Sequence, residues 1–304
     1  MKIVHARKRV FDKDNAFEHK FTLLVWILSI LKWKEYGHEV VLYTDNETLE
    51  KIKEFGFDTL YDEINTELFE KGAICEDIDF NNYWAMPKII ALHYETEHLG
   101  NKVLVADQDV VPMKDLTYLT KKADCLVWSN REYLELKFIY PEVYELSLAK
   151  DYELPKWFSG YARPLNSGVL YFRKNKHAIE FCDEVFKYVK GNKNDKNNSR
   201  CIAMCNAEQR MLGEYLAYKD LTYCTVQPNN QGLFNKNAFH THGFKTVVKN
   251  SNGVDFNCNL LLMIKKLNLY TYLKLIDLDI FNIELEYINK NKYINIKQLE
   301  IYWQ

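Results

Sequence analysis

The stretch VLVADQDVVPM, residues 103–113, decides how this chain is read. Val103 to Ala106 form an apolar run of strand length, and it delivers Asp107 and Asp109 at its carboxyl end, where a parallel sheet presents its ligand crevice. Two carboxylates one residue apart repel each other unless a cation sits with them. Hard divalent ions take such oxygens together with those of a diphosphate. A turn closed by an Asx cap produces the same letters, so the surroundings must decide.

Upstream, Lys2 to Ala6 predicts a strand, and residues 16–36 carry apolar positions at helical spacing that stop at Gly37. The unit then repeats: VVLYT (40–44) predicts a second strand, closed by Asp45 and Asn46, and residues 49–55 a helix ending at Gly56. A short strand at 59–61 and a helix over 84–97, stopping before Gly100, lead into the Asp-bearing strand. Strands alternating with helices of this length predict an α/β fold, a mostly parallel sheet flanked by helices on both faces. Neither GxGxxG nor GxxxxGK[ST] occurs, so any phosphate must be held another way.

Downstream the pattern is less regular. Strands are expected at 125–128, 167–172 and 221–226, helices at 176–190 and 203–218, and a histidine-containing segment near 240. Residues 130–164 form an aromatic-rich insertion, whose Tyr133, Tyr140, Tyr144, Tyr152, Trp157, Phe158 and Tyr161 suit either an acceptor-stacking surface or core. One catalytic domain over 1–250 is expected, with a helical or irregular tail over 251–304 packed on it.

The 304 residues are 47% hydrophobic, which is ample for a buried core, and only GNKNDKNNSR (191–200) is polar enough to read as a mobile loop. Forty Lys and Arg against 42 Asp and Glu leave a net charge of -2, which argues against a general grip on nucleic acid. Seven cysteines without a CxxC read as reduced core residues. MKIVHARKRV lacks the apolar core of a signal peptide, and the apolar run 21–31 is too short to span a bilayer. The expectation is a cytoplasmic protein without a transmembrane segment. Peripheral contact with the inner face of the membrane stays open through NCNLLLMIKKLNLYTYLK (257–274), although packing on the domain produces the same composition.

Three further stretches follow one another around the acidic pair: WAMPK (84–88), LNSGVLYF (165–172) and HTHGFK (240–245). Taken in order, the four resemble the nucleotide-sugar-dependent glycosyltransferases of the GT-A fold, most closely glycosyltransferase family 8, over residues 1 to about 248. The resemblance implies a Rossmann-like GT-A fold and a metal held by Asp107, Asp109 and His240, with His242 as the alternative. Matching His-x-x-Gly puts Gly243 in register with His240. It implies manganese, or magnesium, as cofactor, imidazole tilting the choice to manganese. It further implies a nucleotide-sugar donor, UDP-linked, contacted by Asp107, Lys88, Ser167, Gly168, Gly243 and Lys245, and a reacting sugar faced by Glu208, Gln209 and Asn166. A glycan acceptor and retention of configuration follow from the same resemblance.

There are departures. Met86 stands where the family carries arginine, Glu208 replaces an aspartate, and Lys245 comes five residues after His240 instead of six. Each residue also has a plainer reading: Asn166 to Gly168 as a turn before a strand, Glu208 as a first-turn acid favoured by the helix dipole, Asp45 as a helix cap, either histidine as a loop imidazole. Two other classes use the same residues: a metal-dependent nucleotidyltransferase or phosphatase, for which the basic run 7–9 is the one phosphate-loop candidate, and a catalytically silent sugar-binding protein. Richness in Lys, Asn, Ile and Tyr suits an AT-rich bacterial genome, and with it a surface polysaccharide acceptor.

Overall fold

The computed structural model describes residues 1–8, 20–71, 75–130, 132, 138–192, 200–227 and 237–240. The first half runs β1 (Lys2–Arg7), α1 (Lys20–Glu35), β2 (Glu39–Thr44), α2 (Asn46–Glu54), β3 (Glu63–Asn65), α3 (Glu67–Glu70), α4 (Met86–His93), β4 (Val103–Ala106) and β5 (Val110–Pro112). The second half adds β6 (Cys125–Ser129), β7 (Asn166–Phe172), α5 (Asn175–Gly191), α6 (Arg200–Cys205), α7 (Met211–Tyr218), β8 (Tyr223–Thr225) and β9 (Ala238–His240).

Seven strands form one sheet in the order β3-β2-β1-β4-β7-β6-β8. All neighbours pair in parallel except β7, which runs antiparallel to both β4 and β6. The sheet is therefore mixed and mostly parallel, with helices on both faces. Period-two alternation sorts the strand residues between two cores. Ile3, Val40, Leu42 and Leu104 point to the side covered by α1, while Val4, Val41, Tyr43, Val103 and Val105 meet α4, α5 and α7. Each fully buried Leu, Ile or Val contributes about 1.5–3 kcal/mol, and this is why the strands read as unbroken apolar runs.

The elements differ from expectation in four places. The region 59–61 is not a strand: Asp58–Leu60 is a 3-10 turn, and β3 follows it. The helix expected to 97 leaves α geometry at His93 and continues as a π turn, Tyr94–His98. The helix expected over 203–218 is α6, a π turn at Asn206–Arg210, and α7, so Glu208 and Gln209 lie inside a helical run and do not open it. Beyond Asp109 the chain immediately forms β5, which pairs with β9 in a separate two-stranded ladder. Asp45 caps α2, its Oδ1 accepting from Thr48 N at 2.8 Å, as the plainer reading has it. Among the described residues no helix is long and apolar enough to cross a membrane. The tail 251–304 and part of the loop 191–200 lie outside the described residues.

Candidate functional site

The acidic turn is tied down from three sides. Asp107 N donates to Gly168 O on β7 at 2.8 Å, and Val110 N closes the turn on Asp107 O at 3.0 Å. The residue between the acids, Gln108, donates from Nε2 to Ala6 O at the end of β1 at 2.6 Å. Asp107 and Asp109 are thus fixed at the carboxyl ends of β4 and β1, next to the strand that reverses the sheet's direction. Asp109 is buried and Asp107 half-buried.

The β5–β9 ladder brings the third group. Pairing of Val110 with His240 sets the imidazole beside the turn, with Nε2 at 3.3 Å from Asp109 Oδ1 and 3.8 Å from Asp107 Oδ2. One ligand atom from each of the three residues lies within 4.8 Å of the other two. Trp128 meets the imidazole edge-on, ring centroids 4.8 Å apart. Gly168 makes the room: a Cβ there would come within 2.7 Å of His240 Cε1. Two carboxylates and an imidazole are a donor set for a manganese-like ion, harder than a thiolate site and softer than an all-oxygen one. The residues present fit such an ion.

Lys88 lies behind this cluster, in the first turn of α4, and is buried. Its Nζ is 3.1 Å from Asp107 Oδ1 and 3.3 Å from Ser167 O, and it pairs with Glu208 Oε1, which also accepts from the Ser167 hydroxyl. Burial works against charge on Lys88, but Asp107 and Glu208 outweigh it and hold the ammonium above the ordinary lysine range. For Glu208 burial dominates and pushes the carboxyl up to about 7, with Lys88 pulling the other way. Glu208 reaches this position from the π turn between α6 and α7, and π turns recur at functional sites.

A second chain of polar contacts flanks the first. Asn166 Oδ1 accepts from Gly168 N at 2.9 Å, and its Nδ2 donates to Glu132 Oε1 at 3.2 Å. The Tyr140 hydroxyl donates to Gln209 Oε1 at 2.6 Å and lies 3.3 Å from Glu132 Oε2. Sequence reasoning missed Glu132 and Gln108, and left Tyr140 undecided. The first two carry no motif of their own, although Gln108 stood inside the quoted stretch. The other aromatics of the insertion divide: Phe158 is core, Trp157 stacks on Tyr218 at 5.3 Å, and Tyr144 and Tyr161 are exposed. Under the site His5 is fully buried, with Nδ1 3.0 Å from Tyr61 OH. Burial lowers its pKa to about 3, against the opposing charges of Asp107 and Asp109.

The structure thus brings together Lys88, Asp107, Asp109, Ser167, Gly168, Glu208 and His240, with Asn166 and Gln209 alongside. His242, Gly243 and Lys245 lie outside the described residues. Of the basic run 7–9, Arg7 stacks over Trp26 and Lys8 donates to Phe69 O; Arg9 is outside the described residues.

Fold and site together define an α/β protein that carries a carboxylate–imidazole cluster at the carboxyl ends of its central strands. The chain belongs to DUF6734, a family of unknown function, which it matches over residues 1–269. No curated protein matches it.

Proposed function

We propose that the protein is a metal-dependent glycosyltransferase of GT-A type, moving a hexose from a UDP-linked donor to a glycan acceptor with retention. The observation that carries this reading is the meeting of Asp107 and Asp109 with His240, a residue about 130 positions further along the chain. A divalent ion held by these three would supply Lewis-acid neutralisation of the departing diphosphate.

The chain's own residues account for the rest. Lys88 keeps its charge between Asp107 and Glu208 and offers a second positive centre beside the acidic turn. Gln209, held by Tyr140, offers an amide for a sugar hydroxyl, Asn166 ties Glu132 to the Gly168 backbone, and Gly168 lets a ligand and His240 approach the backbone closely. Glu208 is 2% exposed and engaged by Lys88 and Ser167, so it positions Lys88 and is not placed to take a proton from an acceptor. Retention, in which the leaving phosphate accepts the acceptor's proton on the same face, is what the family 8 resemblance implies.

The reading is tested by donor hydrolysis and by calorimetry with UDP. UDP should give heat with manganese and almost none in EDTA, and UDP-sugar should be cleaved only with the ion. Tight metal-free UDP binding, or release of phosphate in place of UDP, would count against a glycosyltransferase.

A further inference from the structure

A second cluster of ligand-type side chains sits at the other end of α4 from Lys88. His93, the last residue of α4, is 6% exposed, and neither of its ring nitrogens makes a hydrogen bond. Its Nε2 nevertheless lies 3.0 Å from Glu97 Oε2 and 3.3 Å from Asp183 Oδ1 of α5. Glu97 Oε2 in turn lies 3.7 Å from His98 Nε2. His93, Glu97 and His98 bring one ligand atom each within 4.8 Å of one another.

The local backbone explains how. In an α-helix residues i and i+4 share a face and i+5 turns away. Here the segment Tyr94–His98 is a π turn, with Leu99 N donating to Tyr94 O at 3.3 Å, and this wider turn swings His98 round to the side of His93 and Glu97. The separations of His93 Nε2 and His98 Nε2 from Glu97 Oε2, 3.0 Å and 3.7 Å, suit ligands of one tetrahedral centre. Zinc holds nitrogen and oxygen at about 2.0–2.2 Å, which sets ligand atoms about 3.4 Å apart along the edges of the tetrahedron.

We infer that His93, Glu97 and His98 form a zinc-type site, separate from the cluster at Asp107, that pins the π turn to the end of α4, with Asp183 of α5 beside His93. Two imidazoles and a carboxylate suit a borderline first-row ion, zinc before manganese or magnesium. The site holds the carboxyl end of the helix whose first turn carries Lys88. It does not depend on the glycosyltransferase reading, because either site can exist without the other.

The test uses the full chain, stripped with a chelator and titrated with zinc against a chromophoric competitor. Asp109→Asn should retain a tight equivalent of zinc, and adding His98→Ala or Glu97→Gln to it should weaken that equivalent at least tenfold. His98 is exposed, with a side-chain accessibility of 58%, so its removal leaves the core intact. Cobalt in the Asp109→Asn protein should give the intense visible bands of a tetrahedral site, lost with His98→Ala. Zinc binding that vanishes in Asp109→Asn, or that is unchanged by both His98→Ala and Glu97→Gln, overturns the assignment.

Discussion

Single atoms decide most of what the candidate site can do. A methyl group at Gly168 would meet His240 Cε1 at 2.7 Å and Nδ1 at 3.1 Å. Gly168→Ala should therefore push the imidazole off the acidic pair, weakening manganese binding at least tenfold at a stability cost of about 1–3 kcal/mol. Manganese titration alongside thermal unfolding measures both, and an unchanged affinity would mean that His240 is not a ligand. Asp109→Asn should abolish donor cleavage while the fold survives, since it removes repulsion and no packing; wild-type turnover in that variant would remove the acidic pair from the chemistry. His5 gives a pH signature. Its folded pKa, about 3, lies below the ordinary 6.5, so in that interval the unfolded chain holds the extra proton. The stability from its neutral burial is complete above pH 6.5 and is lost as pH falls towards 3, by about 1.4 kcal/mol per pH unit. Denaturant unfolding of wild type and His5→Gln between pH 4 and 7 should show a steeper slope in the wild type, and parallel curves would contradict the buried neutral state.

At the scale of elements, the Lys88–Glu208 pair joins α4 to the π turn at Asn206–Arg210. Lys88→Met leaves Glu208 buried without its cation and should cost about 3–5 kcal/mol, whereas the double variant Lys88→Met/Glu208→Gln should regain most of it, because breaking a buried pair costs more than replacing it. Activity should stay lost in both; recovery of turnover by the double variant would show that the pair is structural only. These elements were unequally legible. β1, β2 and β4 were plain in the sequence, because burial on both faces makes their letters continuously apolar. β7 was plain as a strand but not as an antiparallel one, since an apolar run carries no direction. The π turns at 94–98 and 206–210 could not be read, because one extra residue per turn leaves the composition of a helix unchanged. TLY at 59–61 has strand-forming letters, yet the backbone closes there into a 3-10 turn that packs Tyr61 against α1.

For the molecule as a whole, the acidic pair and its strand were visible from spacing alone. The partners that complete the site were visible only through resemblance, as with His240, or not at all, as with Glu132. Glu132 touches Asn166 across 34 positions of an insertion whose composition points equally to core and surface. A ligand that binds only the folded chain stabilises all of it, by about 2.7 kcal/mol at a hundredfold excess over Kd. Manganese at such an excess should raise the melting temperature of the wild type and leave that of Asp109→Asn unmoved; an equal rise in both would place the ion elsewhere. The β5–β9 ladder has a consequence in time. Its strands are three residues each and lie about 130 residues apart in sequence, so closing that loop costs entropy which so short a ladder repays weakly. A ribosome making this protein at about 5–20 residues per second exposes Asp107 and Asp109 many seconds before His240. The growing chain therefore carries two acids without their imidazole while the intervening residues are made.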